Sequence, residues 1–467
     1  MDRGFVGFND ENGNFVIPDF PIGRRFGDRL EERDSEVNLF EVDYRYAFSD
    51  NVSARIGALY REEEEFDIQV RPRILVGDTL LRRVSGSNDR NIETFAVNAQ
   101  VDTSFTAGAT QTDLALGIDF REEEANRFFG NGATSPDFFL DIFNPVYDVV
   151  FDDRDPNTLG FVNDVENTWG AYVSGQTEIS SFIINYGLRY DSTRQDGENN
   201  NRPLEVDDAS KVSPSLGIVY QPTDTLSFYG SYAEGFNASN QVNTIPGGDN
   251  EPDTLFISEP ETSVQYEAGV KARLLGDNLV VTASYFDLTK DNVISSFVSD
   301  APGEDPVPEL LGEVQSTGVE LTATGAIAGV NIIASYAYID NEILEGDLAG
   351  NTLPNVAENT FSAWASYEQK SGMFAGLGGG LGVFYTDERF GDDPNEVPLD
   401  AYTLVDAAAW YYLPLQRLGM ESDSQLRFGV NVRNLTDERY FPAGGGDAVR
   451  INVGAPRTVL GSIGIEF

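Results

Sequence analysis

The sequence predicts an all-β protein, specifically a transmembrane antiparallel β-barrel, from three observations. Apolar and polar residues alternate with a period of two over nearly the whole chain, which is typical of strands with one apolar and one polar face. The alternating runs are about 11 to 15 residues long, whereas soluble strands centre on about 5 to 6. The connections between successive runs are alternately short and long. Together these features predict about 17 strands.

The segment Phe182–Tyr190 illustrates the alternation. Phe182, Ile184, Tyr186, Leu188 and Tyr190 share one face, and Ile183, Asn185, Gly187 and Arg189 share the other. The same pattern recurs in residues 264–271 and 426–433. Charged residues fall on the polar face, where a water-filled or plugged lumen would accept them and lipid would not.

The connections support a barrel with two different rims. Short ones, such as Ser49-Asp50-Asn51 and Thr223-Asp224, contain the Asp and Asn expected in tight hairpins. A compact soluble domain rarely carries many long irregular loops, whereas membrane barrels combine short periplasmic turns with long external loops. The predicted long loops are residues 65–90, 125–165, 195–210, 237–260, 293–312, 342–357, 389–400 and 435–455.

Aromatic residues cluster at the ends of the predicted strands, as in the girdles that mark both lipid–water interfaces. The candidate girdle residues are Tyr44, Tyr46, Phe48, Tyr186, Tyr190, Tyr229, Tyr232, Tyr336, Tyr338, Tyr411 and Tyr412.

Composition excludes several classes of protein. The 467 residues contain no Cys and no His, so a disulfide scaffold, a Cys/His zinc site and a His-dependent catalytic triad are all ruled out. The formal net charge of −46 argues against nucleic-acid binding, which requires Lys and Arg. No phosphate-binding glycine motif occurs, and we predict no enzyme, no resident metal and no cofactor.

Alternation alone leaves a large soluble all-β protein open, for example a secreted adhesin. Strand length and loop asymmetry favour the barrel. Among barrels, a passive porin-like channel is the alternative to a receptor.

Several motifs resemble those of TonB-dependent outer-membrane receptors, and within them the ferric-siderophore (ferrichrome-type) branch. Each motif is weak alone, but their order and spacing match that family's barrel over essentially the whole chain. The motifs are residues 231–236, 265–271, 286–292, 318–321, Asn434–Phe441, Gly454–Val459 and Gly464–Phe467.

The resemblance implies the barrel portion of a Gram-negative outer-membrane receptor. Such receptors have about 22 strands, so we expect about five to be missing and the barrel to be incomplete or open. We also expect the signal peptide, the TonB-binding segment and the plug domain to be absent. Residues 1–35 would be the remnant of an external loop and residues 36–467 the barrel domain. Coupling to the TonB-ExbB-ExbD complex would need the missing N-terminal part.

The resemblance further implies uptake of a ferric siderophore, with vitamin B12 or a glycan as alternative substrates. By motif position, the ligand-binding candidates are Phe128, Phe129, Phe390, Tyr440 and Phe441. Val459, Ile463, Ile465 and Phe467 resemble the C-terminal signature read by the barrel-assembly machinery. Asp153–Asn157 hints at a calcium loop but lacks the Gly and Glu that such a loop needs.

Overall fold

The structure is a computed structural model of the chain. It describes residues 5–10, 13–21, 23–27, 31–131, 139–147, 159–199, 202–205, 208–238, 242–245, 254–257, 259–298, 307–418, 424–446 and 448–466. Among these residues, no helix is both long enough and apolar enough to cross a membrane.

The described residues are almost entirely β-structure, with one 3-10 turn at Leu415–Leu418. The strands are β1 Phe8–Asn9, β2 Phe15–Val16, β3 Glu32–Ser49, β4 Val52–Val76, β5 Leu80–Ala107, β6 Thr110–Asn131, β7 Phe139–Asp141, β8 Leu159–Ile179, β9 Phe182–Asn199, β10 Arg202–Glu205, β11 Ala209–Thr223, β12 Leu226–Asn237, β13 Val242–Ile245, β14 Thr254–Ile257, β15 Glu261–Leu274, β16 Leu279–Val298, β17 Val307–Ile327, β18 Val330–Ile343, β19 Asn359–Glu368, β20 Leu377–Thr386, β21 Arg389–Phe390, β22 Pro398–Leu399, β23 Tyr402–Pro414, β24 Gln425–Arg433 and β25 Thr458–Glu466.

Seventeen of these strands form one large antiparallel sheet arranged as a barrel, which confirms the predicted fold class. Each long strand pairs with the next long strand along the chain, from β3 to β25. The short strands β7 and β10 extend β5 and β9. Because all neighbours are sequential, tight turns at one rim and longer connections at the other are sufficient to join them.

The first and last long strands, β3 and β25, come next to each other in the order of the barrel. Unlike every other neighbouring pair of long strands, they have no residue-by-residue register in the described part of the chain. β3 is exposed along its whole length, and β25 along all but its first residue. We call the boundary between these two strands the seam.

The outer face carries an apolar band. On β5 it consists of alternate residues from Phe95 to Phe105, and on β6 of outward residues from Thr112 to Phe120, with Glu122 opposite Phe95 at the edge of the band. The ten residue-to-residue steps from Phe95 to Phe105, at about 3.3 Å each and tilted by about 40°, span about 25 Å, which is the height of the apolar band of an outer-membrane barrel. The faces predicted for Phe182–Tyr190 are confirmed, since Ile184 pairs with Ile218 and Leu188 with Pro214 on the apolar side.

The inner face is polar and its charges are paired. Arg189 bonds Asp119 and Asp191 at 2.8 and 2.7 Å and lies over the ring of Tyr172. Tyr172 in turn donates to Gln100 at 2.6 Å. Such pairing makes the charges tolerable on a wall that faces a lumen, whereas the same residues on the outer face would contact lipid.

Glycines make room for large rings on the inner wall. Trp364 covers Gly380 and Gly382, where a Cβ would come within 2.4 and 2.6 Å of the indole. Trp410 covers Gly378 and donates its Nε1 hydrogen to Glu368 at 3.0 Å. Residues 377–382 of the glycine-rich run therefore lie in a strand with small inward residues, as predicted, and Gly376 ends the preceding turn at a φ of 92°.

Two predicted girdle residues were wrong. Tyr229 lies on the inner face over Gly269, and its hydroxyl donates to Glu267 at 2.6 Å. Tyr412 also lies inward, with the guanidinium of Arg427 5.8 Å from its ring. Both tyrosines were assigned to the girdle because they lie near a strand end. The strand register shows that they occupy the alternate positions that face inward.

Several predicted loops are shorter than expected because the strands extend beyond the apolar band. β4 and β5 form a hairpin that continues to Val76 and Leu80, in place of an irregular loop over residues 65–90. The first barrel strand begins at Glu32, inside the segment assigned to the loop remnant 1–35. The division at residue 35 stays a prediction.

Substituting Leu188 with Arg should destabilise the barrel by about 2–4 kcal/mol, because Leu188 lies in the middle of the outward band. Asn185→Arg, on the inward face of the same strand, should change stability little. Denaturant unfolding of both variants refolded into vesicles checks this, and equal losses would contradict the assignment of the faces.

Candidate functional site

Three long connections at the external end form one tightly bonded unit. They are residues 344–358 between β18 and β19, 387–401 between β20 and β23, and 434–457 between β24 and β25. We call them the loop cluster. Their contacts are mostly hydrogen bonds between amide side chains and main-chain groups, which fix loop geometry without regular secondary structure.

Asn395 joins the first two loops. Its carbonyl oxygen accepts the main-chain N–H of Thr352 at 2.9 Å, and its amide donates to the main-chain oxygen of Thr352 at 2.9 Å. Asn351 donates to the main-chain oxygen of Asp393 at 3.0 Å. Asn395 has a φ of 61°, a conformation that Asn adopts more readily than most residues.

Asn355 joins the first loop to the third. Its side chain accepts from the N–H of Gly444 at 2.7 Å and donates to the carbonyl of the same residue at 3.0 Å. Gly444 also lies against Gly391, and a Cβ on Gly444 would come within 2.6 Å of the Cα of Gly391. The three loops therefore meet at a point where only glycine allows the backbones to approach.

Arg389 ties the second loop to the third. Its side chain is buried, and it donates to the main-chain oxygen of Phe441 at 2.7 Å and to that of Asp387 at 3.2 Å. Its guanidinium lies 5.4 Å from the centre of the Tyr402 ring. Burial lowers the pKa of Arg389 from its ordinary value, and the carbonyls and the ring offset part of that cost.

Asn434 fixes the start of the third loop. It is buried, with a φ of 50°, and its amide donates to the carbonyls of Glu438 and Ala455 at 2.7 and 3.1 Å. Its side-chain oxygen accepts the N–H of Glu438 at 2.8 Å. The motif Asn434–Phe441, identified in the sequence, therefore forms the start of a loop whose conformation is held by hydrogen bonds.

Asp392 is a buried carboxylate in the second loop. It accepts the main-chain N–H groups of Val397 and Glu396 at 2.9 and 3.0 Å. Burial raises the pKa of Asp392 above its ordinary value, and the nearby Glu396 and Asp393 add to the effect, while the two N–H groups oppose it.

Three of the predicted ligand-binding residues lie in this cluster. Phe390 follows Arg389 and accepts the N–H of Asn355 on its main-chain oxygen. Tyr440 packs against Tyr402 with the ring planes tilted by 42° and the ring centres 4.6 Å apart. Phe441 is half-buried and packs beside Val397, Leu399 and Ile451. Burial, with neighbouring Tyr402, raises the pKa of Tyr440, so its hydroxyl stays a hydrogen-bond donor at neutral pH.

The other two predicted residues lie elsewhere, on β6. Phe128 lies on the outward face and packs against Phe161 with the ring planes tilted by 37° and the ring centres 4.8 Å apart. The backbone of Phe129 pairs with Asn88 and Gly160. The assignment of all five residues to ligand binding stays a prediction.

The residues predicted as a C-terminal assembly signature share one face of β25 over the described part of the chain, and their recognition by the assembly machinery stays a prediction. Val459, Ile463 and Ile465 pair with Val432, Phe428 and Leu426 on the outward face. Phe467 and the segment Asp153–Asn157 lie outside the described residues. Within the described part of the chain, no group of acidic side chains is arranged to hold a metal ion.

Sequence reasoning missed Arg389, Tyr402, Asn355 and Asn395. The dense Asn, Asp and Gly of these loops indicated turns, but partners such as Asn355 and Gly444 are 89 residues apart and no local pattern links them.

Comparison with known proteins gives a consistent result. Residues 2–435 match the family described as TonB dependent receptor-like, beta-barrel. The chain is 32% identical over 362 residues to the ferrichrome outer membrane transporter/phage receptor of Escherichia coli K12, covering 76% of this chain and 46% of that protein. It is 27% identical over 467 residues to the ferrioxamine B receptor of Salmonella typhimurium SL1344, covering 98% of this chain and 62% of that protein.

A solved structure, the siderophore receptor PiuA from Acinetobacter baumannii, has the same fold. The TM-score is 0.80 at 19% identity, covering 99% of this chain and 69% of PiuA. The chain therefore spans about half to two-thirds of the length of the curated relatives named above.

Replacing Asn434 with Ala should loosen the third loop by about 2–4 kcal/mol, because two carbonyls and one N–H lose their partner and Ala is strained at positive φ. Asn434→Gly removes the backbone strain but does not restore the lost hydrogen bonds. The protection of the loop in Asn434→Gly should therefore lie between that of the wild type and that of Asn434→Ala. Hydrogen exchange of residues 434–457 measures the effect. Equal protection in all three proteins would contradict this role for Asn434.

The second loop should lose protection as pH rises from the ordinary Asp pKa through the raised pKa of Asp392. The raised pKa means that the folded loop holds the proton more tightly than the unfolded chain, so ionisation costs stability. Asp392→Asn keeps an acceptor and should make the Val397 amide better protected at neutral pH, with a flat profile. Asp392→Ala should lose about 1–3 kcal/mol at every pH.

Amide exchange at Val397, corrected for its intrinsic rate between about pH 4 and pH 8, provides the readout. Parallel pH profiles for the wild type and Asp392→Asn would show that this carboxyl does not control the loop.

Proposed function

Because this chain belongs to the TonB-dependent receptor β-barrel family, we propose that it forms the barrel of a Gram-negative outer-membrane receptor that takes up ferric siderophores. The transported ligand would be a ferric chelate of the hydroxamate type. The proposal assigns the chain no enzymatic activity and no cofactor.

The names of the relatives support the choice of substrate. The two curated proteins described above are receptors for ferrichrome and for ferrioxamine B, and the solved neighbour is a siderophore receptor. The alternatives, vitamin B12 and glycans, have no counterpart among these names.

The observation that carries the proposal is the loop cluster at the external end. It holds the aromatic residues Tyr440, Phe441 and Tyr402 beside polar groups, and cross-loop hydrogen bonds fix its shape before any ligand arrives. A bulky chelate needs ring area for its apolar backbone and a few donors for orientation. A loop cluster that is already ordered loses less conformational entropy on binding.

Transport would require parts beyond the residues described. We propose that energy comes from the TonB-ExbB-ExbD complex, acting through segments of the receptor other than this barrel. The outward band would contact outer-membrane lipid, and the outward strand β25 would be the surface read by the barrel-assembly machinery. No nucleic acid is a partner in this scheme.

Binding is tested with the detergent-purified chain titrated with ferric ferrichrome and ferric ferrioxamine B, followed by tryptophan fluorescence and by calorimetry. We expect saturable binding of at least one ferric chelate and none of vitamin B12. Tyr440→Ala should weaken binding about tenfold, equivalent to about 1.4 kcal/mol. Tyr190→Ala is the matched control, because it removes an outward tyrosine of the apolar band, and it should leave binding unchanged.

Binding of vitamin B12 alone, or of no ligand, would overturn the proposal for this chain. Large steady conductance of the refolded chain in planar bilayers, without chelate binding, would instead support the passive channel.

A further inference from the structure

We propose that residues 5–27 form a strap that ties the external loops on the two sides of the seam to each other. The strap is described over residues 5–10, 13–21 and 23–27, and it includes the small β1–β2 hairpin. This inference goes beyond the proposed function and does not depend on the identity of any ligand.

On one side of the seam the strap binds the loop between β24 and β25. Phe5 and Ile451 exchange two main-chain hydrogen bonds as an antiparallel bridge, and the N–H of Gly7 donates to Ala448 at 2.7 Å. The pairing continues the backbone bonding of that loop onto the strap.

Arg439 strengthens the same contact. It forms an ion pair with Asp19 and donates to the carbonyl of Pro18 at 3.3 Å. Its guanidinium lies 5.4 Å from the Phe5 ring and 5.9 Å from the Phe441 ring. One cation thus joins the strap to the third loop of the loop cluster through charge, hydrogen bonding and ring contacts.

On the other side of the seam the strap binds the extensions of β4 to β7. Arg24 donates to the carbonyls of Ile142 and Phe143 at 3.1 and 3.0 Å. Tyr147 donates to the carbonyl of Arg25, and the buried Arg83 of β5 donates to that of Gly27 at 2.8 Å.

A shared apolar core joins the two sets of contacts. Phe5, Phe20 and Phe26 of the strap are 0–3% exposed and pack edge to face, with ring centres 5.2–6.3 Å apart. The core also contains Val6 of the strap, Leu81, Leu140 and Ile142 from one side of the seam, and Val449 from the other.

The position of these contacts gives the strap its role. The seam is the one place in the described barrel where neighbouring long strands have no residue-by-residue register. The strap contacts both sides at the external end, and its bond from Arg439 to Pro18 spans 421 positions of sequence. Releasing the strap should therefore let the two sets of loops move apart.

Limited trypsin digestion tests the attachment, because Arg24 and Arg25 lie within the strap. Arg439→Glu should speed cleavage there roughly tenfold, since proteolysis follows the population of the opened form. The charge swap Asp19→Arg with Arg439→Glu should slow it again. Arg457→Glu is the matched control. It breaks the Arg457–Asp437 pair in the same loop, and the described bonds of Arg457 stay within that loop.

A covalent lock gives a second, independent result. The chain has no cysteine, so Phe5→Cys with Ile451→Cys creates one disulfide across a bridge whose Cα atoms are about 5.5 Å apart. In the Arg439→Glu background, oxidation should restore slow cleavage and reduction should abolish the protection.

The span across the seam is measured in the otherwise unchanged chain with spin labels at Asp78→Cys and Glu438→Cys. We expect one narrow distance distribution, broadened by Arg439→Glu and unaffected by Arg457→Glu. A broad distribution in the labelled parent, or a cleavage rate at Arg24–Arg25 that Arg439→Glu leaves unchanged, would overturn the strap.

Discussion

The whole structure depends on one constraint, which is that main-chain N–H and C=O groups at lipid depth must find partners within the protein. Each unsatisfied group costs several kcal/mol in hydrocarbon, so only helices and barrels are possible. Here every pair of successive long strands from β3 to β25 forms an antiparallel ladder, with local register shifts in the pairs β3–β4, β4–β5, β11–β12 and β16–β17. Once the ladders fix the register, they also determine which side chains face outward and which face inward. Leu188 faces outward and Arg189 faces inward for this reason.

The seam is the one boundary of the described barrel without a residue-by-residue register. β3 and β25 expose outward residues such as Tyr44 and Ile463 and also their inward neighbours. A sheet edge is a template for further pairing, and proteins blunt it or cover it. At the external end, the strap and the loop cluster supply contacts across the seam through side chains and loop backbone. The loops thus serve the integrity of the barrel as well as its surface.

How much of this the sequence could predict depends on how local each signal is. Alternation predicted the faces of β9 and β24 and the count of long strands, because both follow from period two alone. The glutamates Glu62–Glu65 interrupt the alternation and indicate a strand end, so the hairpin β4–β5 beyond them was predicted as a loop. Alternation in fact resumes at Phe66, Ile68 and Val70, and the pairing continues. Tyr229 and Tyr412 were misplaced because lying near a strand end does not determine which face of the sheet a side chain is on.

The residues of the candidate site also divide into those that a local sequence motif indicates and those that have no local signal. Tyr440 and Phe441 could be named from their motif, and the structure places both beside Arg389 or its ring partner. Arg389 itself gave no local signal, since its partners are carbonyls and a ring supplied by other loops. Asn355 and Asn395 gave only the general signal of turn residues. Long-range hydrogen bonds between irregular loops leave no periodic trace, so the rigidity of the loop cluster became visible only in three dimensions.

Charge placement explains how a chain of net charge −46 can insert in a membrane at all. On β4 to β9 the acidic residues are sorted by height and by face. Outward positions between Phe95 and Phe105, and their partners up to Ile118 and Phe120, carry no charge. Directly above them on the same outward face, Glu122 pairs with Phe95 at the edge of the band and Glu124 pairs with Glu93. Within the band, acids such as Asp119 point inward and meet Arg189. Total charge is therefore a poor guide to membrane insertion, because what lipid opposes is charge on one face of the sheet over about 25 Å, and the register keeps that face neutral.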